Sequence, residues 1–384
     1  TLPLWGLIKP PATPVVMTFV KMNVSKGQKT GRKVYPLIAS LLALLLFVPG
    51  AEAENKNMPK LWDAYVGRFI DSYFAAHPDA AVAAGRHEFD GKLPDWSRAG
   101  LDREIARLRA EREQALAFDP ARLDERRRFE REYLISVIDG KLFWLTSAGW
   151  PFKNPVFYER ALDPHVYVTR EYAPLSKRMK AYTDYAKAVP RAVGQMRDNL
   201  KPPLPRSYIE IGRAIFGGLA SFYEKDVPAV FAFVKDARLQ ENFHAANDGA
   251  VRAMKEIVAW LDGLMKTATD DFALGPERFQ EMLRTTERVD VSLESLERAG
   301  RQDLERNLAA LREACHAYAP GKTIPECVAL IDAEKPEGGA VNEARRQLSE
   351  LKTFLLEKKL VSIPGAEGAH VAESPPYRRY NLAY

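Results

Sequence analysis

The side chains best suited to bind a charged ligand lie near the C-terminal end of the chain. Arg378 and Arg379 follow Glu373, and three tyrosines lie close to the arginine pair. A guanidinium group pairs with a carboxylate through two parallel hydrogen bonds, so this segment is a candidate carboxylate-binding site. The same alternation of aromatic and polar residues is also typical of an exposed strand, and the residues alone leave both interpretations open.

The backbone that carries these residues is predicted to be extended, in contrast to the helical pattern that precedes it. Pro364 and Gly365 end the last helical segment, and Pro375-Pro376 favours an extended conformation in the residue before it. An extended segment needs a partner for its backbone hydrogen bonds, yet the sequence stops at Tyr384. We therefore expect this chain to be the front part of a longer protein.

Histidine residues, the usual metal ligands, do not form a recognisable catalytic set. His87-Glu88 is not followed by the second histidine of an H-E-x-x-H zinc motif, and neither a phosphate-binding glycine loop nor a nucleophile elbow is present. The histidines are interpreted as surface or capping residues, with His370 in the extended segment the least typical of that class. No catalytic residue and no metal ligand is therefore assigned.

Cys315 and Cys327 are the two cysteines of the sequence, and they flank a predicted turn between two helical segments. Antiparallel packing of these segments would bring the thiols together, so a disulfide is favoured in an oxidising compartment. The alternative is a pair of buried thiols. Their spacing does not match that of a zinc-binding cysteine motif.

Residues 1–53 have the composition of an export leader, with Met22 as the expected initiator. Basic residues precede the apolar run 37–48, which is too short for a confident membrane span, and Ala51-Glu52-Ala53 matches a signal-peptidase site. Cleavage is expected after Ala53. The protein is thus predicted to be secreted, to a periplasm, with no stable membrane span after cleavage.

The leader also accounts for the whole formal net charge of +5. Residues 54–384 carry equal numbers of basic and acidic side chains. A neutral body produces no overall field that attracts a polyanion, so nucleic acid is excluded as a partner.

Residues 54–384 are predicted to form one mainly α-helical domain. Apolar residues recur at helical spacing, as in Tyr65, Phe69 and Tyr73 and again in Leu293, Leu296 and Leu304, and Pro190 is expected to break a helix in the middle of the chain. Asp119-Pro120 is expected to begin one helix, and Thr323 with Glu326 matches a capping box at the start of another. The stretch 148–174 is rich in aromatic residues and proline. It is interpreted either as a loop that lines a functional site or as a packed connector.

Four short segments, in order along the chain, resemble the bacterial family known as domain of unknown function 885. They are HPDAAVAAGRHEFDGKLPDWS at 77–97, NPVFY at 154–158, DFALGPERFQEML at 271–283 and VAESPPYRR at 371–379. The resemblance implies a largely helical, zincin-like metallopeptidase fold that hydrolyses peptides with zinc. A family zinc-binding segment, His-Glu-x-x-Pro-Gly-His, would follow the last motif and is not present in this sequence.

The resemblance therefore implies that residues 54–384 are a helical domain truncated before its metal-binding half, inactive alone, with zinc expected in the full-length family member. It also places the last motif beside the substrate cleft. The cleft candidates carried over in this way are Glu373, Ser374, Tyr377, Arg378 and Arg379. The alternative from another class is a non-catalytic helical binding or scaffold protein of the cell envelope.

Overall fold

The computed structural model describes residues 50–363, 365 and 368–373, and this part of the chain is mainly α-helical, as predicted, with no β-strand. Backbone pairing of the β type is limited, in these residues, to an isolated bridge between Pro205 and Thr269. The helices are α1 (Gly50–Ala76), α2 (Pro78–Ala83), α3 (Arg98–Leu116), α4 (Glu125–Leu145), α5 (Trp150–Lys153), α6 (His165–Thr169), α7 (Leu175–Asn199), α8 (Arg206–Ser221), α9 (Val227–Phe231), α10 (Ala237–Leu264), α11 (Pro276–Thr286), α12 (Leu293–Tyr318), α13 (Ile324–Ala333) and α14 (Ala340–Glu357).

Short polar side chains start several of these helices. Ser97, Asp124 and Asp236 each accept a hydrogen bond from a backbone N–H in the first turn of the helix that follows. These N–H groups have no partner within the helix, so the caps fix where α3, α4 and α10 begin. The predicted capping box of Thr323 and Glu326 is confirmed at the start of α13.

Two predicted helix boundaries are wrong. Pro190 does not divide the helix around it, because α7 runs continuously from Leu175 to Asn199 with this proline inside. The helix predicted to begin at Asp119-Pro120 begins at Glu125, since residues 120–122 form a separate 3₁₀ turn and Asp124 provides the cap. In the first case, packing of the buried α7 face outweighs the cost of one missing backbone hydrogen bond.

The apolar side chains of α1–α10 form two hydrophobic cores. The first core joins α1, α2, α3 and α4 around Trp62, Tyr65 and Leu108, all of which are almost fully buried. The second is larger and is centred on α7, α8 and α10, with Tyr182 and Phe243 inside it. Phe89 and Phe157 contact both cores, so the cores meet at these two residues.

Buried polar contacts hold the helices of each core in register. Arg131 of α4 donates from Nε to the Ala115 carbonyl and from Nη2 to the Leu116 carbonyl, both at 3.1 Å, and thereby binds the last turn of α3. In the larger core, the Tyr182 hydroxyl donates to Asn247 Oδ1, and Asn247 Nδ2 donates to the Tyr223 carbonyl at 2.9 Å. Because buried polar groups without partners are costly, these contacts restrict how the helices can slide.

The stretch 148–174 is not an irregular loop. It contains α5 and α6 together with 3₁₀ turns at Pro155–Tyr158 and Arg160–Leu162. The Tyr158 hydroxyl donates to the Pro151 carbonyl at 2.7 Å, and Tyr158 itself is fully buried. Most of the stretch therefore behaves as a packed connector, and Trp150 and Phe157 are its residues that line a cavity.

Candidate functional site

The predicted cleft residues lie at the C-terminal boundary of the described chain. Glu373 is exposed, whereas Ser374, Tyr377, Arg378 and Arg379 lie outside the described residues. The preceding segment lies beside α14, because Arg345 Nε donates to the Val371 carbonyl at 3.0 Å. That this segment borders a substrate cleft stays a prediction.

A cavity of about 520 Å³ lies at the junction of the two cores. Its walls come from the end of α1, the loop before α3, the first half of α3, the end of α4 and the connector that follows it. This volume lies within the range of small-molecule binding sites, which are mostly apolar with a few polar groups in fixed positions. The cavity is therefore the candidate functional site of the described chain.

Three tryptophans form the aromatic part of the cavity wall. Trp144, near the end of α4, lies against Trp150, with ring centroids 4.2 Å apart and ring planes inclined by 44°. Trp96 contributes from the loop before α3 and lies edge-on to Tyr158, at 4.8 Å between ring centroids. These rings present a rigid surface for a flat or bulky apolar group.

The loop that carries Trp96 is held from both sides. The Trp96 backbone N–H donates to Gln195 Oε1 at 3.0 Å, and the Trp96 carbonyl accepts from Asn199 Nδ2 at 2.7 Å, so α7 fixes the loop. On the other side the loop touches Gly100 of α3, where a Cβ atom would come within 2.1 Å of the Asp95 carbonyl oxygen. Only glycine permits this close approach of loop and helix.

Charged side chains also line the cavity. The Glu104 carboxylate accepts from His77 Nε2 at 2.9 Å and from two nitrogens of Arg107, each at 2.8 Å. Burial alone would raise the pKa of Glu104, but the hydrogen bonds and charges of His77 and Arg107 outweigh it and lower the pKa to about 2. Glu104 is thus an ionised anchor for the His77 and Arg107 side chains, rather than a proton donor at neutral pH.

A second ion pair and an unpaired lysine complete the charged lining. Asp95 accepts from Arg103 Nη2 at 2.5 Å, and hydrogen bonds from Ser97 are the largest cause of its lowered pKa. Lys141 of α4 has its ammonium 4.9 Å from the centre of the Tyr73 ring. Among the described residues, no carboxylate lies within ion-pair distance of this ammonium, which leaves the cavity with one uncompensated positive charge.

The sequence did not identify this site. His77 was interpreted as a surface or capping histidine, and Lys141 and the three tryptophans were not singled out at all. The cavity residues are spread over 75–157 and approach one another only when α1, α3 and α4 pack together. Two sequence signals point to this site: the aromatic stretch 148–174, for which one interpretation is a loop that lines a functional site, and the run LPDWS at 93–97, which carries the family resemblance.

The described residues do not fit a zinc centre. No group of three or more histidine, cysteine, aspartate or glutamate side chains in them has the arrangement needed to hold a metal ion. His87 instead stacks on Tyr172, with ring centroids 3.5 Å apart, and pairs through Nδ1 with Asp90 at 3.1 Å. A catalytic zinc needs three protein ligands, and the described residues do not offer such a set.

Cys315 and Cys327 are joined by a disulfide, with their Cα atoms 5.9 Å apart. The bond links the last turn of α12 to the first turn of α13 across the turn that contains Gly321. It lies away from the cavity lining, so its role is to hold two helices together.

These features define a mainly α-helical protein with an aromatic, charged cavity between two hydrophobic cores. The chain belongs to a family of bacterial proteins of unknown function (DUF885), whose sequence profile matches residues 78–384. The family resemblance inferred from the four short segments is thereby confirmed.

The fold is also found in a solved structure, that of a candidate lipoprotein of unknown function from Shewanella oneidensis. The two chains superpose with a TM-score of 0.63 at 18% sequence identity, over 79% of this chain and 58% of that chain. At this identity the likeness concerns the fold alone. The chain therefore spans little more than half the length of that relative.

No curated protein matches this chain. Within the described residues, no helix combines the length and the apolar character needed to cross a membrane.

Proposed function

We propose that the protein is an exported peptide-binding protein of the bacterial envelope, and that its helical body forms the substrate-binding part of a zinc-dependent peptidase. The single observation that carries peptide binding is the cavity between the two cores, whose lining combines aromatic walls with charged groups. A peptide offers both an apolar side chain and polar or charged groups at short distances from it. The cavity presents a surface that is complementary to each of them.

The cavity is large enough to hold one or two residues of a peptide, but too small for a folded partner. Its volume of about 520 Å³ is enough for a large side chain together with the adjoining backbone. Trp96, Trp144 and Trp150 would contact the side chain. The paired groups Arg103–Asp95 and Arg107–Glu104 offer donors and acceptors whose positions are already fixed, which reduces the entropic cost of binding.

The peptidase part of the proposal rests on the family resemblance, not on ligands in the described residues. These residues are assigned to substrate binding, and cleavage is assigned to the zinc-dependent chemistry that the resemblance implies. Export is supported by the leader composition of residues 1–53. Fractionation of cells that express the chain tests export. If the leader is cleaved after Ala53, the periplasmic fraction contains a product that begins at Glu54.

Peptide binding and peptidase activity are tested separately. Binding of short peptides to the purified protein is measured by calorimetry, and Trp144→Ala is expected to weaken it at least about tenfold because an aromatic contact surface is lost. Phe129→Ala is the matched control, since Phe129 also lies on α4 but is 55% exposed outside the cavity lining. If no peptide binds, or if both variants weaken binding equally, the cavity is not the binding site.

Zinc content by elemental analysis and peptide cleavage with and without chelator, both measured on the full-length protein, then decide the activity. A zinc peptidase contains about one zinc per chain and loses cleavage on chelation. A protein that binds peptides through the cavity but contains no zinc and cleaves nothing is the alternative, a non-catalytic envelope binding or scaffold protein. The observation that favours this alternative is the set of exposed apolar side chains on α12–α14, which is typical of an interaction surface.

A further inference from the structure

The charges that line the cavity do not balance. Each carboxylate of the lining is already neutralised by an arginine, Asp95 by Arg103 and Glu104 by Arg107. Lys141 is the third cation of the lining, and among the described residues no carboxylate lies within ion-pair distance of it. The cavity thus has an ammonium group available for an anion that comes from outside.

The surroundings of Lys141 favour an anionic ligand over water alone. The side chain is partly buried, and its ammonium faces the ring of Tyr73, which in turn lies 4.6 Å from the ring of His77. A cation–π contact offsets only part of the cost of removing an ammonium from water, typically about 0.5–2 kcal/mol. A carboxylate placed on the open side of the ammonium would form a charge-assisted hydrogen bond, which is stronger.

The position of Lys141 on α4 also defines what must accompany the anion. Trp144 follows Lys141 by three residues, so both side chains lie on the same face of the helix, one turn apart. Trp150 contacts Trp144 and extends the aromatic surface. A ligand that contacts the ammonium and the tryptophans together has a carboxylate separated by only a few bonds from a bulky apolar group.

We propose that the cavity binds the C-terminal residue of a peptide, with its free α-carboxylate on Lys141 and a large aromatic or aliphatic side chain against Trp144 and Trp150. In such a residue the carboxylate and the side chain branch from the same Cα, which gives the required separation. This inference rests on the proposed peptide-binding function and specifies its substrate class, namely peptides with a free C-terminal carboxylate after a bulky apolar residue.

The test compares two ligands that differ only in the terminal charge. Binding of acetyl-Ala-Ala-Phe with a free carboxylate and of its C-terminal amide to the purified full chain is measured by calorimetry. The free acid is expected to bind at least about tenfold more tightly, the effect of one hydrogen bond to a charged group. Lys141→Gln is expected to reduce this ratio to about one by weakening the acid alone, whereas Lys141→Arg retains a preference for the acid.

Lys177→Gln is the matched control, because it removes the same charge from an exposed position of α7 that does not line the cavity. The control is expected to keep the acid-to-amide ratio of the unmodified protein, and thermal melting verifies that both glutamine variants are folded. Equal affinity for acid and amide, or a preference that survives Lys141→Gln, overturns the assignment of the carboxylate to Lys141. Absence of binding by both peptides instead contradicts peptide binding itself.

Discussion

Two regions of the molecule use the same helical pattern with opposite results. In the body, defined as α1–α11, the apolar faces of α1–α10 pack into two cores, and residues such as Leu108, Phe243 and Leu261 are fully buried. The C-terminal helices, α12–α14, have equally regular apolar residues, but in residues 293–357 only Cys315 and Cys327 are buried. Helical periodicity therefore predicts a helix in both regions, but the apolar faces become part of a core in only one of them.

The C-terminal helices are stabilised mainly by local contacts. Their pairs include Arg301 with Glu297 at 2.6 Å and Lys322 with Glu326 at 3.3 Å, both one helical turn apart, in addition to the capping box and the disulfide. Exposed ion pairs of this kind contribute little, typically about 0.3–0.5 kcal/mol each. The body is therefore held together by its buried cores, whereas the C-terminal helices depend on a few covalent and capping contacts.

The largest expected difference comes from one substitution made in both regions. Leu261→Ala in α10 removes a fully buried side chain and is expected to lower the free energy of unfolding by about 2–5 kcal/mol. Leu304→Ala in α12 shortens a side chain that is 58% exposed, and we expect it to change the free energy of unfolding by less than about 0.5 kcal/mol. Urea unfolding of both variants measures the contrast. A large loss of unfolding free energy for Leu304→Ala would mean that the apolar face of α12 is covered in solution, and the proposed difference between the two regions would be wrong.

The same contrast shows what the sequence was able to predict. Local signals were sufficient for the helix of Leu293, Leu296 and Leu304 and for the capping box of Thr323, because their causes lie within a few residues. Local signals failed at Pro190, where the packing of α7 against α10 decides the outcome. They also gave no indication of which apolar faces would stay exposed.

The cavity was out of reach of sequence reasoning for a related reason. His77, Glu104, Lys141 and Trp150 come from four separate segments, and each has an ordinary local interpretation as a cap, a surface charge or a loop aromatic. Only the packing of α1, α3 and α4, fixed in part by Arg131, makes them neighbours. Gly100 likewise looks like a tolerated helical glycine until the approach of Asp95 is known.

The second prediction concerns the disulfide, which we expect to matter for the C-terminal helices and not for the body. Closing a loop of this length is worth about 3 kcal/mol, a factor of roughly 100 in the local opening equilibrium. Replacing Cys315 and Cys327 together by alanine should therefore increase amide hydrogen exchange in 293–333, while the melting temperature of the body stays the same. A parallel loss of body stability would show that the two regions unfold as one unit.

The third prediction is a pH dependence that belongs to the body. The pKa of Glu104 is lowered to about 2 in the folded protein, so its ionised form contributes stability that is fully present above its ordinary pKa near 4.5 and is lost as the pH falls toward 2. The difference in unfolding free energy between the unmodified protein and Glu104→Gln should shrink by about 2 kcal/mol between pH 6 and pH 2. A difference that does not vary with pH would show that Glu104 is not held as a buried anion.

The smallest effect is expected at Glu326, whose pKa is also lowered to about 2, but from an exposed position. Here the largest cause is the backbone N–H of Thr323, which donates to the carboxylate at 2.8 Å, so the shift reports a helix cap rather than a buried ion pair. Glu326→Gln keeps an oxygen that accepts this hydrogen bond, whereas Glu326→Ala does not. Faster amide exchange in α13 is therefore expected for the alanine variant only, with the melting of the body unchanged in both. Equal exchange in the two variants would mean that charge, and not the cap, stabilises α13, and the C-terminal helices would then depend on salt concentration rather than on hydrogen-bond geometry.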